Sequence, residues 1–229
     1  MARELSVDPK TVQRWISGRR PHPRHRWAVS ALVAEPDEYL WPDGVVPSGS
    51  DATCSEEIVA AFAHRADASP SRWWNLLEGA GSQIDFLGYA MLHLPEQHPD
   101  LMELLQDKAS AGCSIRIALV DPVSDEARRR DLEEGLDDGL IARIRTSTKY
   151  FGELAGFENI TMRLHSTPMY NSVFRFDDQM LVTPHIFAIP GSKAPMLHLR
   201  RLRQGGIFEG FVEHFEGIWA TAKLLEQAA

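Results

Sequence analysis

From residue 57 to residue 225 the chain alternates between two periodicities, and nothing else restricts its fold as strongly. Strand-like runs stand at Gln83-Ile-Asp-Phe-Leu-Gly-Tyr89 and Ser114-Ile-Arg-Ile-Ala-Leu-Val120. Helix-like runs surround them: Ser71 to Ala80, Asp100 to Ala111 ending at Gly112, and Ser124 to Ala155 broken near Gly135 to Asp137. Short strands follow at 159–165, 171–177, 179–184 and 196–202, then an amphipathic helix from Gly206 to Leu225 with Phe208, Phe211, Phe215, Ile218 and Trp219 on its apolar stripe. Glu57 to His64 reads as a strand, although its alanines leave a helix open. Strand–helix–strand order predicts an α/β sandwich around a mixed sheet, with 171–184 as an antiparallel hairpin.

The front of the chain is written differently. Val7-Asp8-Pro9-Lys10-Thr11-Val12-Gln13-Arg14-Trp15-Ile16-Ser17-Gly18-Arg19-Arg20 predicts a turn, a short capped helix and a basic exit loop. Asp8 suits the N-cap and Pro9 the first helical position, where a missing N–H costs nothing. Val12, Trp15 and Ile16 form the expected buried stripe. Lys10, Thr11, Gln13, Arg14 and Ser17 are left outside, able to meet base edges or phosphates. Gly18 ends the helix, and Arg19, Arg20, Arg24 and Arg26 are placed for a phosphate backbone. A second amphipathic helix is expected over 22–34, with Trp27, Val29, Leu32 and Val33 apolar, then a helical turn around Tyr39, Leu40 and Trp41. Pro42 to Thr53, rich in Gly, Pro and Ser, reads as a linker.

Charge divides along the same line. Residues 1–26 hold seven Lys/Arg against Glu4 and Asp8, a net of +5. The chain total is −8, so residues 27–229 carry −13. An acidic body repels nucleic acid, and attraction is confined to the front end. A solvated basic hairpin without a nucleic-acid role is the plainer alternative. No run approaches a membrane span, no signal peptide is evident, and Cys54 and Cys113 lack metal-ligand spacing. These features predict a cytoplasmic protein with free thiols, no metal and no cofactor, and no membrane partner.

Residues 5–42, from Leu5-Ser-Val-Asp-Pro-Lys-Thr-Val-Gln-Arg-Trp through Arg24-His-Arg-Trp27 to Tyr39-Leu-Trp-Pro42, resemble the later part of Xre-type helix-turn-helix domains of bacterial regulators. Such domains begin one helix earlier, and this chain starts inside the second. The resemblance therefore implies a DNA-binding domain over 1–44 whose first helix is missing from this polypeptide.

The second informative stretch is Arg163-Leu-His165-Ser-Thr-Pro-Met-Tyr170-Asn171-Ser-Val173-Phe-Arg175-Phe-Asp177-Asp178-Gln-Met-Leu-Val-Thr-Pro-His185. Alternation puts Asn171, Val173 and Arg175 on one face of a strand and Ser172, Phe174 and Phe176 on the other. With the surrounding α/β order, this stretch resembles the phospholipase D-like superfamily over roughly residues 56–225. In that family a strand carries His-x-Lys followed by Asp. Here the His position is Asn171, the Lys position is Val173, and Asp178 remains. An amide is no phosphate nucleophile and valine offers a phosphoryl oxygen no charge, so a degenerate, non-catalytic domain is expected at 54–229, after a linker at 45–53. The resemblance implies a domain that dimerises and senses a small ligand. His165, Tyr170, Asn171, Arg175, Asp178 and His185 are its candidate cleft residues, each with a plain structural alternative such as turn formation for Asp178.

Two further basic stretches have bland accounts. His198 to Arg203 reads as an edge strand guarded by charge. Arg128-Arg-Arg130, next to Asp131, Glu133 and Glu134, reads as a salt-bridged helix surface, and Trp73-Trp74 as helix packing. The expected protein is a transcription regulator: a homodimer that binds double-stranded DNA and a small-molecule effector. A phosphodiesterase or nuclease with a divergent active site, and a ligand-free dimerisation module, are the alternatives.

Overall fold

The computed structural model describes residues 2, 5, 7–16, 21–33, 55–202 and 205–225. The expected turn at 36–42 and the linker lie outside these residues. The chain divides into two compact units, Met1–Ala52 and Thr53–Ala229.

In the first unit, α1 spans Pro9–Ile16 and α2 spans Pro23–Val33. Asp8 starts α1: its carboxylate accepts from the Lys10 N–H at 2.7 Å and its carbonyl from the Thr11 N–H at 2.8 Å. The Trp15 and His25 rings meet at 5.5 Å between centroids, joining the two helices, and Val29 is buried. The buried stripe is narrower than the sequence predicts. Val12 and Trp15 are half-buried, but Ile16 is 73% exposed, and Leu32 and Val33 are exposed as well. Ile16 closes the last turn of an eight-residue helix, past the reach of the Trp15–His25 contact.

The second unit is an α/β sandwich around one mixed eight-stranded sheet, as the alternation predicts. Its strands are β1 (Ile58–Phe62), β2 (Gln83–Gly88), β3 (Ser114–Val120), β4 (Ile160–His165), β5 (Asn171–Phe176), β6 (Gln179–Pro184), β7 (Met196–Arg200) and β8 (Lys223–Leu224). They lie in the order β1-β7-β6-β5-β2-β3-β4-β8. The strands β2, β3 and β4 run parallel and all other pairings are antiparallel. The helices are α3 (Pro70–Gly79), α4 (His93–Gln97), α5 (Leu101–Ser110), α6 (Asp125–Glu134), α7 (Gly139–Gly152) and α8 (Ile207–Thr221). One core places Trp73, Leu77, Leu94 and Leu105 against Phe86, Ile117 and Phe174. The other places Ile141, Ile144, Phe208, Phe215 and Ile218 against Ala118, Val173 and Val182. Strand β5 feeds both cores through the alternation read from its sequence.

Three sequence expectations change. Glu57 to His64 resolves as strand β1, which covers β7, so His198 to Arg200 is not at a sheet edge. His198 is buried there, within 3.1 Å of Arg72 and 2.9 Å of Gln179. The end of the last predicted helix becomes β8, pairing with β4. The basic run on α6 does form i,i+3 and i,i+4 pairs, Arg128–Asp125, Arg129–Glu126 and Arg130–Glu134. Arg130 is nevertheless buried, and it donates to the carbonyls of Ile186 and Ile189. Asp131, also buried, accepts from the Asp138 and Leu140 amides at the start of α7.

Candidate functional site

On α1, Lys10, Gln13 and Arg14 are exposed and Thr11 is half-buried, so the polar face read from the sequence exists. Ser17, Arg19 and Arg20 lie outside the described residues. Arg24 falls in the first turn of α2, and its side chain is likewise outside them.

The six cleft candidates do not gather in one place. Asn171 opens β5, and its neighbours Tyr170, His185 and His165 stand at the same end of the sheet, where β2, β3 and β4 finish. Arg175 and Asp178 belong to the other end of the hairpin; a six-residue strand at about 3.4 Å per residue puts roughly 17 Å between its ends. Their surroundings are structural. Strand register sets Arg175 and Arg116 on either side of Asp85, which is 1% exposed. Arg116 donates to Asp85 at 2.7 Å and Arg175 at 3.4 Å, and Arg116 also reaches Glu216 on α8 at 2.7 Å. Asp178 is an exposed turn residue whose carbonyl accepts from the Arg201 N–H. Its neighbour Asp177 holds the turn at φ 53°, and its carboxylate accepts from the amides of Gly81, Ser82 and Gln83. Burial pushes the Asp177 pKa up, but those three amides and Arg175 outweigh it and hold the group below the ordinary carboxylate value.

At the Asn171 end the residues face different ways. Asn171 lines a shallow depression against Ile207, Phe211 and His214 of α8. Tyr170 is 70% exposed. His165 is buried at the end of β4, and burial lowers its pKa to about 4. Tyr170 and His185 share a pocket of about 180 Å³ with Tyr89, Arg130 and Glu133, and His185 also reaches a second space.

That space is a cavity of about 100 Å³ on the Ser172 and Phe174 face of β5. It sits where the carboxyl end of β2 meets β5, the point at which the chain, after building β2, β3 and β4 to one side, returns to build β5 on the other. Crevices at such switch points are where open α/β sheets hold ligands. Gly88 makes the roof possible: a Cβ there would stand 2.6 Å from the Met91 side chain. Met91 itself turns at φ 55°, a strained value for a side chain of its size, and the Ser147 hydroxyl donates to the carbonyl of Ala90.

The polar lining is unsaturated. Thr183 is 1% exposed and its hydroxyl has no partner; the same holds for His93 Nε2 and His185 Nδ1. The His93 ring is fixed edge-on to Trp73 and Phe174, and the His185 ring edge-on to Tyr89 with Nε2 3.0 Å from Ser172 Oγ. Burial first, then nearby arginines, drives His93 well below the ordinary histidine value and His185 to about 3, so both rings are neutral. Arg65 and Arg143 also line the cavity. Burial and the charge of Arg143 lower the Arg65 pKa to about 10. Glu134 lines the cavity as well, and its carboxylate pairs with Arg130 at 2.6 Å. Buried polar groups without partners are uncommon in native proteins; besides these three, Glu57, His98, His165 and His214 also hold such atoms, away from this cavity.

Sequence reasoning found His185 and missed Arg65, His93, Arg143 and Thr183. Arg65 lies in the turn after β1, His93 in a single helical turn and Arg143 on the exposed side of α7. No local pattern joins them. Among the described residues, no group of His, Cys, Asp and Glu side chains is arranged to hold a metal ion. Nor is any helix among them long and apolar enough to cross a membrane.

No protein family's sequence pattern matches the chain, and no curated protein matches it in sequence. Solved structures do. TrmBL2, an archaeal chromatin protein whose structure shows a novel mode of DNA binding, is similar at 14% identity and a TM-score of 0.50, over 94% of this chain and 69% of TrmBL2. At that identity the likeness concerns the fold. Phosphatidylserine synthase of Haemophilus influenzae Rd KW20 is similar at 14% identity and a TM-score of 0.48, over 73% of this chain and 39% of the synthase.

Proposed function

We propose that the chain is a DNA-binding transcription regulator in which the α1–α2 unit contacts duplex DNA and the α/β unit recognises a small effector. One observation carries the reading: the exposed side chains Lys10, Gln13 and Arg14 stand on α1, within a segment of net +5 joined to a body of net −13. Such segregation aims a single surface at a polyanion. The likeness to TrmBL2 supports it, because a fold of this kind occurs in a protein that binds DNA. A helical unit this small makes few contacts, and two-fold pairing of the chain on half-sites multiplies them; the homodimer belongs to the same proposal.

The α/β unit, in this reading, binds without breaking bonds. Asn171 and Val173 occupy the places where the phospholipase D-like resemblance puts the nucleophile and its phosphate-holding lysine. The experiment is a titration of mixed genomic duplex fragments by fluorescence anisotropy between 50 and 200 mM salt. Affinity falls with salt by a slope of about −0.9 per phosphate contact, and Lys10→Ala with Arg14→Ala flattens that slope by roughly one to two contacts. If Arg14 reads a base instead, Arg14→Ala costs about 1–3 kcal/mol on the preferred sequence alone. Absence of binding at the lowest salt, or a slope unchanged in the double variant, overturns the proposal.

A further inference from the structure

We propose that the cavity between β2 and β5 is a phosphate site, taking the phosphoryl group of a small phosphorylated metabolite between Arg65, Arg143, His93, Thr183 and His185. The inference deepens the effector reading above by naming the chemistry recognised. It uses none of the positions to which the family motif maps, Asn171, Val173 and Asp178.

The first argument is hydrogen bonding. Thr183 Oγ1, His93 Nε2 and His185 Nδ1 are buried and unpartnered, and all three residues line the cavity. An apolar ligand leaves all three unsatisfied, at a cost comparable to the hydrogen bonds forgone. Neutral imidazoles carry one N–H each. Ser172 Oγ and His185 Nε2 lie 3.0 Å apart, and the tautomer in which the hydroxyl donates puts the His185 proton on Nδ1. The Thr183 hydroxyl can donate, and each imidazole nitrogen can donate in one tautomer, so these residues can serve an acceptor-rich guest.

The second argument is charge. Among the described residues, neither Arg65 nor Arg143 forms an ion pair with a carboxylate; Glu134, which also lines the cavity and whose charge acts on Arg65, is paired with Arg130. Two guanidinium groups that repel each other over a partly desolvated space favour an anion and exclude a cation. A carboxylate is satisfied by one arginine fork; two cations and three further donors match the three terminal oxygens and double charge of a phosphomonoester. The third argument is size. A cavity of about 100 Å³ admits a phosphoryl group with a few attached atoms and is too small for a nucleobase.

The test is calorimetric titration of the full chain with inorganic phosphate at pH 7.5, ionic strength held constant with sodium chloride. Saturable binding is expected. Arg143→Gln, at an exposed position that tolerates substitution, weakens it at least tenfold, and Thr183→Val, nearly isosteric, weakens it several-fold. Arg145→Gln, exposed on the same helix, leaves it unchanged. No saturable heat with the wild-type chain, equal affinity in the Arg143 and Arg145 variants, or acetate binding as tightly as phosphate each overturns the inference. Duplex binding without phosphate binding removes the inference and leaves the DNA reading standing. Phosphate binding without duplex binding does the reverse.

Discussion

The two ends of the β5–β6 hairpin are made of the same strands and solve opposite problems. At the Asp177 turn every buried charge is answered: Asp85 between Arg116 and Arg175, Asp177 beneath three amides. No buried atom of these four residues lacks a hydrogen-bond partner. At the Asn171 end, Thr183, His185 and neighbouring His93 leave three atoms unanswered around the cavity. A saturated network serves stability and register, whereas an unsaturated one leaves hydrogen-bonding capacity unused.

The largest effect that can test this contrast comes from Asp85→Ala. It strands two arginines in partly buried positions, and urea unfolding should show a loss of about 3–5 kcal/mol. A loss under about 1 kcal/mol would mean that the Asp177 end is no more committed than the other.

A smaller effect separates the ends by pH. The native pKa of His185 is depressed to about 3, so between 6.5 and 3 the unfolded chain takes up a proton that the native chain refuses. Stability is full above about pH 6.5 and falls as pH drops through that window. His165 and His198, each near 4, act with the same sign. Asp177 is also depressed, but its contribution is present above its unfolded value of 3.8 and is lost as pH falls through the lower native value. In urea midpoints measured against pH, His185→Asn should flatten the upper window and Asp177→Asn the lower one. Should His185→Asn leave the profile between pH 6.5 and 4 unchanged, the two ends do not titrate apart.

The smallest effect is Thr183→Val in phosphate-free buffer. Removing a hydroxyl that has no partner should change stability by less than about 1 kcal/mol, on the stabilising side. A loss beyond that in the same unfolding measurement would show the hydroxyl to be already satisfied.

Much of this was legible in the sequence, for reasons that differ by element. The hairpin was readable because the Asp177-Asp178 turn fixes its register locally, and α8 because its aromatic residues repeat at helical spacing. The start of α1 was readable because Asp8 and Pro9 act on their immediate neighbours. Strand β1 was ambiguous because its partner β7 lies more than 130 residues away, and only that pairing turns an alanine-rich run into a strand. The site was the least legible. His185 stood out as a histidine after a proline, but Arg65, His93 and Arg143 come from three separate elements and acquire a common meaning only once the sheet is assembled. Arg175 misled for the converse reason: alternation assigned its face correctly but carried no trace of Asp85 waiting across the strand.

Gly88 has a consequence beyond local geometry. A methyl group at position 88 would stand 2.6 Å from the Met91 side chain, so Met91, which lines the cavity, would have to move. The shape of that space therefore depends on a residue that does not itself line it.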